Sequence, residues 1–216
     1  MYEVSMEISG PLAMFTDPAT GDMPVSYPVP TYSALKGMFE NILLYQSVEV
    51  RPIKVEICSP LNFHTLMFNY GGPNRHKNLK SNPGNRQVRM TVLQNVCYKV
   101  YAQLHNVKPR KQLSERAQVQ YEKTTNPSHS YHDHFYRRLK RGECFRPIFL
   151  GLKDFAPDYV GVLRDETSKD ESINLFLASM LYEIFPGGPY SNKQKHFIQN
   201  VHIRNGEMNF LEYANA

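Results

Sequence analysis

Tryptophan is absent from this chain, cysteine occurs only three times, and acidic residues vanish from one stretch, residues 71–89. Each gap excludes something. Cys58, Cys97 and Cys144 stand far apart and form no CxxC pair, so neither a zinc knuckle nor a disulfide framework is suggested, and reduced, partly buried thiols are expected. No apolar run approaches the ~20 residues that span a bilayer. The first ten residues, "MYEVSMEISG", alternate apolar and polar side chains with no basic region or long apolar region, which is not the pattern of a signal peptide. A cytoplasmic protein with no membrane association is therefore expected. Without tryptophan, aromatic contacts fall to 14 tyrosines and 12 phenylalanines.

The 216 residues fit one large domain or two small ones, with enough chain to bury a real core. Net charge is +5. Its placement matters more: residues 71–141 hold 15 Lys/Arg against Glu115, Glu122 and Asp133, while the remainder holds 10 Lys/Arg against 17 acids. A net of +12 in one third of the chain and −7 elsewhere is the asymmetry of a protein with one face turned to a polyanion.

Along the chain, Tyr2, Val4, Met6 and Ile8 alternate with Glu3, Ser5 and Glu7, the pattern of a half-buried strand over 2–9. "GPLAMFTDPATGD" reads as a loop. In "VSYPVPTYSALKG", Pro28 and Pro30 stiffen the approach to a helix that Thr31 can cap. Leu35, Met38, Phe39, Ile42 and Leu43 recur at helical spacing over 31–45. Strands are expected at 48–58, 61–70 and 92–104, the last with Val96, Tyr98, Val100, Ala102 and Leu104 on one core-facing side. Residues 71–89 read as a basic insertion and 105–128 as a polar segment. A short amphipathic helix follows at about 131–141 and a strand at 144–151. The tail opens on a polar stretch, 154–172, and then offers strands near 174–185 and 196–211, with Asn205-Gly206 as a hairpin signal. The pattern predicts an α+β protein. A ferredoxin-like (RRM-like) domain with a basic β-hairpin insertion covers 1–152, and a small C-terminal antiparallel β subdomain covers 153–216.

"MFTDPATG", "SYPVPTYSALKGMFENI", "GNRQVRMTVLQNVCYKVYAQL", "HFYRRLKRGECFRPIFLG" and "LASMLYEIF…VHIRNGEMNF" together resemble the CRISPR-associated RAMP superfamily. The likeness is to the Cas five subunit of type I (Cascade) interference complexes, in its d or c subtype, and it runs over nearly the whole chain. It implies a subunit that grips the repeat-derived 5′ handle of CRISPR RNA and meets the backbone and large subunits of the complex, with target DNA a further partner. Many members of the resembled subtype also cut precursor CRISPR RNA without metal, so no cofactor is expected. A general RNA-binding domain unrelated to this family is disfavoured, because the K/R-G-F/Y-G/A-F-V-x-F/Y aromatic motif of RRM sheets is missing.

Metal-free cleavage needs a proton acceptor for the 2′-hydroxyl, a cation for the phosphorane and a proton for the leaving oxygen. The resembled subtype supplies a tyrosine late in the first helix and a Lys-His pair before the second. This chain departs from that pattern. Leu43 stands where the tyrosine belongs, with Tyr45 two residues on, and Ser130-Tyr131 stand where Lys-His belongs, flanked by His129 and His132. Tyr45, His129, Tyr131 and His132 are the candidates to rebuild the site. On a helix, however, two residues turn a side chain by about 200°, so RNA binding is weighed above catalysis. "HSYHDH" (129–134) has zinc-ligand residue types, but His132 and His134 diverge on a helix and no metal site is expected. RNA contacts are expected from Arg75, His76, Lys77, Lys80, Arg86 and Arg89 in the acid-free insertion. A second basic set comprises Lys108, Arg110, Lys111, Arg137, Arg138 and Arg141, with Lys140 alongside.

Overall fold

The computed structural model describes residues 2–70, 86–109, 115–184 and 194–213. Within them the chain is a mixed α/β protein built on a mostly antiparallel sheet, with elements β1 (Tyr2–Ala13), α1 (Tyr32–Ile42), β2 (Val48–Ile57), β3 (Asn62–Tyr70), β4 (Arg86–Asn106), α2 (Glu115–Lys123), α3 (Pro127–Arg141), β5 (Tyr159–Gly161), β6 (Leu175–Glu183), β7 (His196–Ile203) and β8 (Glu207–Asn209). No helix among them is long and apolar enough to cross a membrane.

The sheet runs β5-β1-β4-β2-β8, and β3 pairs with β4 beyond the end of β2. β4, at 21 residues, is the spine. Its residues 93–104 pair with β1, 98–106 with β2, and 86–94 with β3. The alternation read from the sequence does its work here: Val96, Tyr98, Val100, Ala102 and Leu104 are all buried, together with Val4, Met6 and Ile8 of β1. α1 and α3 cover that face. Leu35, Met38, Phe39 and Ile42 on α1 and Tyr131, Phe135 and Leu139 on α3 are buried, and the rings of Phe39 and Phe135 meet at 5.8 Å.

The proline-rich approach to α1 is itself buried from Ser26 to Thr31. Prolines suit it because they bring no N–H that would need a partner in the interior. The Pro28 carbonyl takes the Tyr98 hydroxyl at 2.9 Å, and Thr31 caps α1 by accepting from Ala34 N–H at 3.2 Å.

Several boundaries differ from the sequence reading. β1 continues through Gly10-Pro11 to Ala13, because the start of the supposed loop keeps pairing with β4 as far as Leu93. α1 stops at Ile42: Leu43 has φ −149° and ψ 127°, already extended. Residues 105–128 contain the additional helix α2, and α3 starts at Pro127, capped by the Asn126 side chain. "CFRPIFLG" (144–151) forms no strand, because it is tied by Phe145 and Arg146 N–H to the Asn41 carbonyl of α1. The strand beside β1 is instead β5, inside the stretch read as polar. In the tail, β6 and β7 form their own two-stranded ribbon, while β8 joins β2. Asn205 and Gly206 make the expected tight turn, with φ of 49° and 71°.

The second face of the sheet is polar, and residues 164–170 cross part of it, contacting Glu7, Lys99 and the Ile57 carbonyl. Glu7 sits there with no exposure. Its carboxylate accepts from Arg164 Nε at 2.8 Å, Arg164 Nη2 at 2.5 Å, the Arg164 N–H at 2.9 Å and Thr167 Oγ1 at 3.0 Å. Lys99 Nζ donates to the carbonyls of Arg164 and Thr167. Cys97 points into the same cluster, its thiol 3.6 Å from Glu7 Oε1; Cys58 is partly buried and Cys144 is exposed.

Burial pushes the Glu7 carboxyl up, but the hydrogen bonds from Arg164 and Thr167 and the guanidinium charge outweigh it and hold the carboxyl below its ordinary value of 4.5. A depressed carboxylate stabilises the fold at neutral pH, and that contribution fades as pH falls below the ordinary value and through the lowered one. Arg164→Ala leaves the buried Glu7 carboxylate without its guanidinium partner and should lower the urea unfolding midpoint at pH 7. The variant should also lose stability less steeply than the parent between pH 5 and 3, because its Glu7 no longer has a lowered value to titrate through. Equal unfolding midpoints at pH 7 would contradict this.

Candidate functional site

The end of α1 and the exposed flank of α3 form one rim. Because α1 ends at Ile42, residues 43–45 are not helical, and burial alternates along them: Leu43 is buried, Leu44 exposed and Tyr45 partly buried. In an extended chain, side chains two apart point the same way. Tyr45 therefore lies on the same side as Leu43, and the helical rotation expected from the sequence does not arise. Its hydroxyl is hydrogen-bonded to His134 Nδ1 on α3. The Tyr131 ring stands edge-on to that of Tyr45 at 5.4 Å.

The four catalytic candidates thus fall into three places. Tyr45 is on the rim. Tyr131 is fully buried, and its hydroxyl donates to the Leu43 carbonyl at 2.8 Å, which fixes the chain leading to Tyr45. His129 and His132 lie on the opposite flank of α3, against Tyr2 at ring distances of 5.3 and 6.0 Å, with His132 also 5.0 Å from Tyr136. Asp133 is near both: its carboxylate is 3.2 Å from His132 Nδ1 and 3.8 Å from His129 Nε2. Two residues on a helix separate His132 from His134 by about 200°, so His134 faces away from His129 and His132, and among the described residues no three His, Cys, Asp or Glu gather as metal ligands.

His134 is the residue that the sequence reading passed over. In the sequence it stands out only as a member of the metal-like cluster "HSYHDH". The available signal was its helical spacing: residues 134, 138 and 141 recur along one flank, so His134 belongs with the arginines and not with its sequence neighbours.

Of the basic candidates, Arg137 and Arg141 are exposed on this rim side of α3, Lys140 is exposed farther round the helix, and Arg138 is partly buried, with an Nε that has no hydrogen-bond partner among the described residues. Arg141 makes only a loose pair with Glu143 at 3.8 Å. The basic side chains of the last turn also complement the C-terminal end of the helix, which closes on Gly142 in the left-handed conformation at φ 66°. Arg89 is exposed on β4 opposite Met67, and Arg86 opens β4 opposite Tyr70. Lys108 is exposed just after β4. Arg75, His76, Lys77, Lys80, Arg110 and Lys111 lie outside the described residues.

Burial lowers His134 from its ordinary value of 6.5, the Arg137 charge lowers it further, and Asp133 opposes them. The ring is therefore neutral at physiological pH, with Nδ1 able to accept the Tyr45 hydroxyl. This arrangement can take up a proton beside a cationic surface that suits a phosphodiester.

A family profile described as CRISPR-associated protein (Cas_Cas5), of the Cas5d type, matches residues 4–205. The chain is 30% identical over 196 residues to a curated protein of Thermus thermophilus named CRISPR pre-crRNA endoribonuclease Cas5d, covering 88% of this chain and 78% of the relative. Among solved structures, a CRISPR-associated protein superposes with a TM-score of 0.69 at 18% identity, over 97% of this chain and 91% of the other. A functionally uncharacterized protein from Streptococcus mutans superposes with a TM-score of 0.68 at 20% identity, over 97% and 92%. At such identities the two structures speak for the fold alone.

The electrostatics of the rim are testable by NMR titration of the histidine rings. His134 should titrate below 6.5, Arg137→Gln should raise its midpoint by removing a neighbouring positive charge, and Asp133→Asn should lower it further. Shifts of the opposite sign would contradict the arrangement.

Proposed function

The chain belongs to the CRISPR-associated Cas5 family, in its Cas5d branch, and on that premise we propose that it is a CRISPR RNA-binding subunit of a type I interference complex, holding the repeat-derived 5′ handle. The exposed arginines of α3, next to the Tyr45–His134 pair, support the reading. We take Arg75, His76, Lys77, Lys80, Arg86 and Arg89 to extend the RNA contact along the hairpin, and Lys108, Arg110 and Lys111 to extend it beyond β4. The working setting is the cytoplasm, with the backbone and large subunits of the complex as neighbours. The order β5-β1-β4-β2, with α1 and α3 on one face, supports reading the sheet as ferredoxin-like, its closing strand supplied from just beyond residue 152. Residues 153–216 otherwise serve as the smaller β-rich part.

One observation favours a second role, metal-independent cleavage of precursor CRISPR RNA: the hydrogen bond between the Tyr45 hydroxyl and His134 Nδ1. A relative 30% identical carries the name of that activity. In this reading the 2′-hydroxyl passes its proton to the Tyr45 oxygen as the phenolic proton moves to His134 Nδ1. The freed 2′-oxygen attacks phosphorus, the arginines of α3 balance the phosphorane charge, and the 5′-oxygen leaves with a proton from solvent. The products are a 2′,3′-cyclic phosphate and a 5′-hydroxyl. His129 and His132, on the far flank of α3, are then RNA-binding or structural groups.

The test is incubation with a transcript of the repeat from the same CRISPR locus in excess chelator. A single cut leaving a cyclic phosphate is expected, slowed about a hundredfold or more by Tyr45→Phe or His134→Ala with affinity retained. Arg137→Gln and Arg141→Gln should each weaken binding and shrink the slope of log affinity against log salt by about 0.7. Tightly bound but uncut RNA would leave the binding role and remove the nuclease role. Cleavage that survives His134→Ala but not His132→Ala would move the site to the other flank.

A further inference from the structure

The loop after α3 presents an aromatic ring to water and holds it there. Phe145 is 56% exposed. Its N–H donates to the Asn41 carbonyl in the last turn of α1 at 2.7 Å, and the Arg146 N–H donates to the same oxygen at 3.0 Å. Asn41 Nδ2 returns a bond to the Pro147 carbonyl at 3.3 Å. Three hydrogen bonds to one residue fix this backbone, so the exposure of the ring is built in and does not follow from a slack loop.

The surroundings narrow what the ring can receive. The Arg146 guanidinium lies 5.4 Å from the ring centre, a cation–π arrangement. Arg137, Lys140 and Arg141 are exposed on the helix leading into the loop. The position also fits the site already described: Asn41 precedes Tyr45 by four residues, at most about 14 Å of extended chain. A strand with a phosphate at Tyr45–His134 would need only a few nucleotides to reach this loop.

We propose that Phe145, flanked by Arg146, is a stacking platform for an unpaired base of the RNA strand lying along the α1–α3 rim. The proposal rests on the RNA-binding reading above and adds to it a specific base-contacting site. Aromatic rings and guanidinium planes are the groups on which proteins stack splayed single-stranded bases, and any base offers a π-face, so the contact adds affinity without reading sequence. A protein partner is the competing occupant, since phenylalanine and arginine are common interface residues. It is disfavoured because the exposed positions flanking Phe145 are mainly cationic: among the described residues from 137 to 147 they are Arg137, Lys140, Arg141, Gly142, Glu143, Cys144, Arg146 and Pro147, while the apolar Ile42, Leu139 and Ile148 beside the loop are buried or half-buried in the lining of a cavity.

The probe is the repeat transcript of the same locus, carrying 2-aminopurine at successive unpaired positions. Wild-type protein should quench the fluorophore at one position. Phe145→Ala should remove that quench, weaken binding about five- to hundredfold and leave the salt slope unchanged, because stacking releases no counterions. Phe145→Leu should behave like the alanine variant, since it keeps apolar bulk without a π-face, and Phe145→Trp should restore both signals. Equal affinity and quench in the alanine variant would overturn the platform. So would intact RNA binding with lost capture by a companion subunit, which would make the ring a protein anchor. A wild-type protein that binds no repeat RNA would overturn the RNA reading and the platform together, and that outcome is recognised without any variant.

Discussion

The arrangement of this protein depends on one constraint: a long central strand whose apolar side must be covered. β4 carries five alternating buried residues over 96–104 and is paired on both edges, so its side chains can be shielded only from above and below. α1 and α3 shield the apolar side, and their mutual packing through Phe39 and Phe135 brings the end of one helix against the flank of the other. The pairing of Tyr45 with His134 follows from that packing, as does the anchoring of residues 145–147 on Asn41. The opposite side is held by the buried Glu7 carboxylate, which draws Arg164 and Thr167 across the polar face.

Strands and helices were legible where one periodicity governed a segment. β1, the central part of β4, and the apolar stripe of α1 could be read because burial on one face imposes its period on the sequence. The cap at Thr31 and the turn at Asn205-Gly206 were legible because few residues satisfy those backbone conformations. The end of α1 was not. Leu43 continues the apolar spacing of the helix, but it is buried as part of an extended segment whose carbonyl receives the Tyr131 hydroxyl. Residues 144–151 look like a strand by composition, yet their N–H groups are drawn to Asn41 by tertiary contact. β5 is only three residues long and lies in polar sequence, so no periodicity marks it.

The site was legible in chemistry more than in geometry. Charge segregation marked residues 71–141, of which α3 is one part, and the resemblance pointed to a tyrosine near the end of α1. The partner of that tyrosine went unread because adjacent histidines in a sequence suggest a cluster, whereas a helix distributes them around its axis. His129 and His132 ended beside Tyr2, while His134 ended beside Tyr45. Leu43 and Tyr45, read as neighbours turned apart on a helix, proved to be neighbours on one side of an extended chain.

The edges of the sheet carry a consequence for how the polypeptide is made. β1 gains its second neighbour from residues 159–161, and β2 gains its own from 207–209. At about 5–20 residues per second, a ribosome delivers β5 on the order of ten seconds after β1 has emerged. For that interval the nascent chain holds unpaired strand borders, which invite association with neighbouring chains. The late arrival of these two short strands makes the final third of the polypeptide a seal against such association, and gives a C-terminally shortened chain a reason to aggregate even when its central strand and helices are intact.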